Sequence, residues 1–128
     1  MVVQITEGIK VSVISRFKED LSNIQEGEYL FTYHVTIENL SNYTIKLLKR
    51  HWIIFDSGSV VREVKGEGVV GRQPIIEPGQ SHRYVSGCNL NSEIGSISGL
   101  YLMEKLSDGK QFNVIVPQFK LICPYKLN

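Results

Sequence analysis

Cysteine, proline and tryptophan are scarce, with two, four and one respectively among 128 residues. At 128 residues the chain can bury a single core without staples, and Cys88 and Cys123 lack the CxxC spacing of redox or zinc motifs. In a reducing compartment they are expected as free thiols in or near the core. A long apolar run is missing too. Nothing approaches the roughly 18 residues of a membrane span, and Met1 to Glu7 has neither the basic start nor the apolar stretch of a signal peptide. A cytoplasmic protein without a membrane partner is expected. The net charge of +1 supplies no global field, so general affinity for nucleic acid is not implied. No helical period lasts ten residues, which leaves no βαβ unit to build.

What is present is alternation. Ile9, Val11, Val13 and Phe17 alternate with polar residues, as a half-buried strand requires. After a polar loop or single helical turn over Lys18 to Glu28, Tyr29, Phe31, Tyr33, Val35 and Ile37 make the clearest strand, rich in aromatic and β-branched side chains. The run from Tyr43 to Phe55 has Ile45 and Leu47 on one parity and Trp52 and Ile54 on the other, which requires a bulge near Lys49-Arg50-His51. Asp56-Ser57-Gly58-Ser59 reads as a hairpin turn leading to a short, charged, exposed strand from Val60 to Lys65, followed by an irregular segment from Gly66 to Pro74. Pro78-Gly79 suits a type II turn, and Gln80 to Cys88 is extended again. Ile97 to Leu106 reads as a strand with Leu100 and Leu102 on its buried parity. Asp108-Gly109 is a hairpin signal joining it to Phe112, Val114 and Val116, and Pro117 suits an edge strand.

About eight short strands with turns every eight to twelve residues and no helices between them predict a single all-β domain over residues 1–128, an antiparallel β-sandwich, with a closed barrel as the alternative. Exposed edge strands allow two copies to pair, so a homodimer is possible.

Gly66-x-Gly68-x-x-Gly71 matches the dinucleotide-binding glycine pattern letter for letter. That chemistry needs a helix whose first amides face the pyrophosphate, whereas here Arg72-Gln73-Pro74 returns the chain to extended structure. No cofactor is expected. Two uses of the glycines remain. They can supply positive φ angles in a tight connector, or form an amide nest for an anion flanked by Lys65 and Arg72, although Glu67 inside the pattern repels phosphate. His34 reads as a surface residue. His82 and Cys88 share a parity but lie six residues apart on one strand, too far to meet. Ser86-Gly87-Cys88 lacks the strand-to-helix turn of a nucleophile elbow. No catalytic residues and no metal ligands are therefore assigned. Trp52 reads as core, and the inferred bulge would turn Arg50 and His51 toward the glycine loop to make a small polar patch suited to recognition. The candidate partner- or anion-binding residues are Arg50, His51, Trp52, Glu63, Lys65, Gly66, Gly68, Gly71, Arg72 and Gln73.

These residues also carry a family resemblance. Tyr33 to Leu40 (YHVTIENL), Arg50 to Ile54 (RHWII), Glu63 to Pro74 (EVKGEGVVGRQP), Glu77-Pro78-Gly79, Tyr84 to Cys88 (YVSGC), Gln111-Phe112 and Pro117-Gln118-Phe119 resemble the ApaG family, over roughly Gly8 to Cys123. The resemblance implies a fibronectin type III-like (immunoglobulin-like) β-sandwich and a small bacterial cytoplasmic protein, in a family often encoded near a dinucleoside polyphosphate hydrolase. Related domains in F-box proteins and a polymerase delta-interacting protein imply protein binding. The resemblance brings no catalytic residues. A non-enzymatic module with a protein partner is the first expectation, and a weak binder of an anionic small molecule such as a polyphosphate nucleotide is the second.

Overall fold

The structure, a computed structural model, describes residues 1–57 and 61–124. Among these residues nine strands follow in chain order: β1 (Val2–Thr6), β2 (Ile9–Phe17), β3 (Tyr29–Asn39), β4 (Ile45–Asp56), β5 (Arg62–Glu67), β6 (Ile75–Ile76), β7 (Ser81–Leu90), β8 (Ile94–Lys105) and β9 (Gln111–Ile122). They form two antiparallel sheets, ordered β1-β2-β3-β7 and β5-β4-β8-β9, with β6 also paired to β4. This is a β-sandwich and not a closed barrel, because the two sheets share no backbone ladder. The segment between β2 and β3 holds two single 3₁₀ turns, Glu19–Leu21 and Ile24–Glu26.

The core follows from strand alternation. Ile9, Val11 and Val13 of β2, with Phe31, Val35 and Ile37 of β3, face inward, and Ile45, Leu47, Trp52, Val114, Val116 and Phe119 meet them from the second sheet. Trp52 sits among Tyr33, Tyr101 and Phe119, with ring centroids at 6.0, 5.6 and 6.5 Å and edge-to-face tilts above 70°. That arrangement sets positive ring edges against negative faces. Gly99, opposite Trp52 in the ladder, makes room for the indole: a Cβ there would lie 2.5 Å from both the indole and the His51 carbonyl. Cys88 and Cys123 are free and buried. Burial raises the Cys88 thiol pKa, although Arg62 partly opposes this.

Several elements differ from expectation. Val2–Thr6 forms an additional strand, β1, and β7 runs on to Leu90. The turn expected at Asp56-Ser57-Gly58-Ser59 and the start of the following strand lie partly outside the described residues. Leu100 and Leu102 do not occupy the buried parity of β8. Ile97, Tyr101 and Met103 face the core, while both leucines are half-buried on the outer face. Tyr101 wins the interior because its hydroxyl is bonded to that of Tyr84 across the sandwich, so the phenol is buried without an orphaned polar atom. Pro117 sits where the β8–β9 register slips, between the Ile97–Phe119 and Gly99–Val116 pairs. There its missing N–H costs no ladder bond.

One polar side chain closes the turn after β3. Asn39 is fully buried; its Nδ2 donates to the carbonyls of Tyr43 (2.7 Å) and Ile76 (2.9 Å), and its Oδ1 accepts from the Ser41 amide and hydroxyl. Asn39→Ala strands these groups, and is expected to cost about 2–4 kcal/mol and to lower Tm by roughly 10 °C. Calorimetry of the two proteins checks this, and an unchanged Tm contradicts it.

Candidate functional site

The geometry around Arg50 starts from a single extra residue. Leu47 pairs with Met103 and Lys49 with Leu102, so Leu48 is the bulge that moves the inward parity from Ile45 and Leu47 to Trp52 and Ile54. Its carbonyl accepts from the Gly68 amide at 2.8 Å and from Gln73 Nε2 at 3.0 Å, while the Leu47 amide donates to the Pro74 carbonyl at 3.0 Å. The glycine-rich loop is thus the partner of the bulge.

The loop is a tight reversal. The Val69 amide donates to the Arg72 carbonyl and the Arg72 amide to the Val69 carbonyl, across Val70 and Gly71, both at positive φ (48° and 73°). Gly68 also has positive φ, and a Cβ there would lie 1.9 Å from the Arg72 carbonyl oxygen. The connector reading of the glycines therefore holds, with no helix after Gly71. The amides of Gly68, Val69 and Arg72 are turned to the chain's own carbonyls, which leaves little of an anion nest.

Arg50 lies opposite Gly66 in the β4–β5 ladder, and its guanidinium occupies the space a Gly66 side chain would fill. Arg50 Nη1 donates to the carbonyls of Gly68 (2.9 Å) and Glu67 (3.2 Å). Arg50, Gly66 and Gly68 are held together by these contacts and Gln73 joins them through the Leu48 carbonyl, while Gly71 is exposed at the tip of the turn and Trp52 is buried in the core. Arg72, like Gly71, is exposed.

His51 goes the other way. It does not turn toward the glycine loop but projects from the outer face of the second sheet, since neighbouring residues of a strand point to opposite sides. There His51 Nε2 lies 3.2 Å from Glu63 Oε1, which is 3.1 Å from Lys65 Nζ. The Lys65 hydrogen bond and charge, with a smaller part from His51, hold the Glu63 carboxyl below its ordinary pKa. The expected single patch is in fact two sites on opposite sides of β4. The outer one is a hollow of about 560 Å³ lined by Lys49, Arg50, His51, Lys65, Gly66, Glu67, Leu100, Leu102 and Asn113. Among the described residues no hydroxyl or thiol lines it.

The inner site is a smaller cleft of about 200 Å³ at the open side of the sandwich, lined by Arg50, Trp52, Tyr33, Tyr84, Val85, Ser86 and the Val69-Val70-Gly71 turn. Burial raises the pKa values of Tyr33, Tyr84 and Tyr101, with Arg50 a weaker opposing influence, so all three phenols stay protonated. Tyr33, Tyr84 and Ser86 were not among the residues expected at a site. Their signal was the inward parity of β3 and β7, which reads equally well as core. Among the described residues no group of three histidine, cysteine or acidic side chains is placed to hold a metal, and His34 is exposed as expected.

Two predictions follow from the loop and its neighbour His82. Gly68→Ala adds a direct clash to an unfavourable φ and should cost about 3 kcal/mol or more, whereas Gly71→Ala meets no neighbour and should cost about 1 kcal/mol. Urea denaturation of both variants checks the order, and equal costs refute it. His82 packs 6.2 Å from the Tyr84 ring, and burial followed by the Arg72 charge lowers its pKa below the ordinary 6.5. The unfolded chain therefore takes up the proton first, and stability falls as pH drops through 6.5 toward the lower folded value. His82→Asn should remove that part of the acid sensitivity in denaturant midpoints measured on either side of this window.

The chain is matched by the ApaG domain family over residues 19–105. Protein ApaG of Pseudomonas syringae pv. tomato is 42% identical over 120 residues, 94% of each chain, and that of Pseudomonas fluorescens is 43% identical over the same shares. A crystal structure described as the ApaA protein of Bordetella pertussis superposes with a TM-score of 0.87 at 38% identity, covering 91% of this chain and 94% of that one. An Archaeoglobus fulgidus protein, 12% identical with a TM-score of 0.51, shares the fold alone. Matched along nearly its whole length by bacterial relatives, with the same sandwich, this chain belongs to the ApaG domain family.

Proposed function

We propose that the protein is a non-catalytic recognition module that docks a protein partner on the outer face of its second sheet. The observation that carries this is an apolar strip across three strands. Ile53 and Phe55 of β4 and Ile115 of β9 are 42, 48 and 41% exposed; Leu100 of β8 pairs with Ile115 on one side and on the other with His51, two residues before Ile53, while Leu102 lies between Lys49 and Asn113. A charged margin of Lys49, His51, Glu63, Lys65 and Glu67 stands beside the strip. Exposed apolar surface rimmed by charge suits a protein contact, in which the centre excludes water and the rim selects the partner. Lys49 and Lys65 favour an acidic group on the partner next to its apolar contact, at the edge of the hollow. Burial, which raises the pKa of the Cys88 thiol and keeps it protonated, makes it a poor nucleophile and favours binding over turnover.

A photo-crosslinking amino acid placed at Phe55, expressed in the native cell, should give one discrete adduct. The same group at exposed His34, on the outer face of the other sheet, should give none. Leu100→Asp should abolish the Phe55 adduct while leaving the melting curve near that of the parent. An adduct pattern that is diffuse, equal at the two positions, or indifferent to Leu100→Asp sinks the proposal.

A further inference from the structure

Arg50 does more than brace the glycine loop. Its side chain is half-buried, only Nη1 is engaged by hydrogen bonds among the described residues, and no carboxylate of those residues lies within 4.0 Å of it. A guanidinium drawn partly out of water without a counter-charge is costly, and its planar fork is shaped for a carboxylate. The cleft beside it, about 200 Å³, carries the side chains of Tyr33, Tyr84 and Ser86. Ser86 lies opposite Tyr33 in the β3–β7 ladder, and Tyr84 is hydrogen-bonded to Tyr101. All are neutral hydroxyls, able to donate to an anion without adding charge.

The turn at the cleft has a second unusual feature. Val70, a β-branched residue, is held at φ 48° and is 62% exposed, while its neighbour Val69 is buried. A β-branched side chain in the left-handed region is strained, and such strain is found where backbone shape serves a ligand. The exposed valine gives the cleft an apolar lip above a cationic floor.

We infer that this inner cleft binds a carboxylate carried on a short apolar stem, with the Arg50 guanidinium pairing the carboxylate, the Tyr33, Tyr84 and Ser86 hydroxyls offering further donors, and Val70 covering the stem. One cation matches a monoanion. A phosphate dianion leaves charge uncompensated in a site this small, and Lys65 and Arg72, the other cations near the glycine loop, do not line it. The cleft lies on the opposite side of β4 from the apolar strip, so it stands or falls separately from the protein-docking reading. The carboxylate has two natural sources, a free aliphatic acid or the end of a peptide chain, and the chemistry is the same.

The test is a titration of the ¹⁵N-labelled protein with butyrate at constant ionic strength, followed by amide signals and the Arg50 Nε–H. Saturable shifts at Arg50, Val70, Gly71 and Ser86, absent with butyramide, are expected. Tyr84→Phe and Ser86→Ala keep the Arg50–loop contacts and should each weaken binding by about fivefold or more. Arg50→Gln should abolish it. A valine-ended tetrapeptide with a free terminus, compared with its amide, separates the sources: tighter binding than butyrate points to a chain end, weaker binding to a free acid. The inference is overturned if shifts do not saturate, if butyramide reproduces them, if Arg50→Gln or Tyr84→Phe leaves the affinity unchanged, or if inorganic phosphate binds more tightly than butyrate.

Discussion

The extra residue at Leu48 is the constraint on which the rest of the molecule depends. Without it, strand alternation would carry the Ile45–Leu47 face onward through Lys49 and His51, and Trp52 would point at solvent. With it, the indole enters the aromatic cluster of Tyr33, Tyr101 and Phe119, and His51 is delivered to the opposite surface. A bulge leaves a carbonyl without a ladder partner, and a buried carbonyl needs one. Here Gly68 and Gln73 supply the donors, Arg50 holds the carbonyls of Glu67 and Gly68, and the glycine-rich segment becomes the far half of a structure that begins in β4.

That division explains why neighbouring residues in sequence serve different surfaces. Arg50 belongs to the space between the sheets, with the phenols of Tyr33 and Tyr84. His51 belongs to the outer face, with Glu63, Lys65 and the two leucines of β8. Both surfaces are fixed by one register shift, so a change that removed the shift would erase them together. The glycines share the task unequally. Gly68 is required by a contact no Cβ can tolerate, and Gly66 by the guanidinium that lies across it, whereas at Gly71 only the backbone angle matters.

Much of the architecture was legible because alternation is a local signal. The strands β2, β3, β4 and β9, the turn at Pro78-Gly79, the hairpin at Asp108-Gly109 and the bulge itself could all be read from spacing. The parity of β8 could not, since Leu100, Tyr101, Leu102 and Met103 are all apolar and only the tertiary bond from Tyr101 to Tyr84 decides which pair is buried. The site was half legible for a similar reason. Arg50, Gly66, Gly68 and Gln73 were marked by their unusual sequence, and His51, Glu63 and Lys65 by charge. That these form two groups on opposite faces is a consequence of strand pairing across sixteen or so residues, which no local pattern contains. Tyr33, Tyr84 and Ser86 looked like ordinary strand residues and acquire meaning only beside Arg50.

The pairing of β3 with β7 sets an order on assembly. Residues Tyr29 to Glu38 match Leu90 to Ser81, so the first sheet cannot be completed until most of the chain has been synthesised. While the ribosome is still adding β4, β5 and the glycine loop, β3 has β2 on one side and an open row of amides and carbonyls on the other. Such an edge invites pairing with a wrong strand. The newborn protein must therefore keep this seam open, without aggregating, until β7, Ser81–Leu90, arrives from the later part of the sequence to close it.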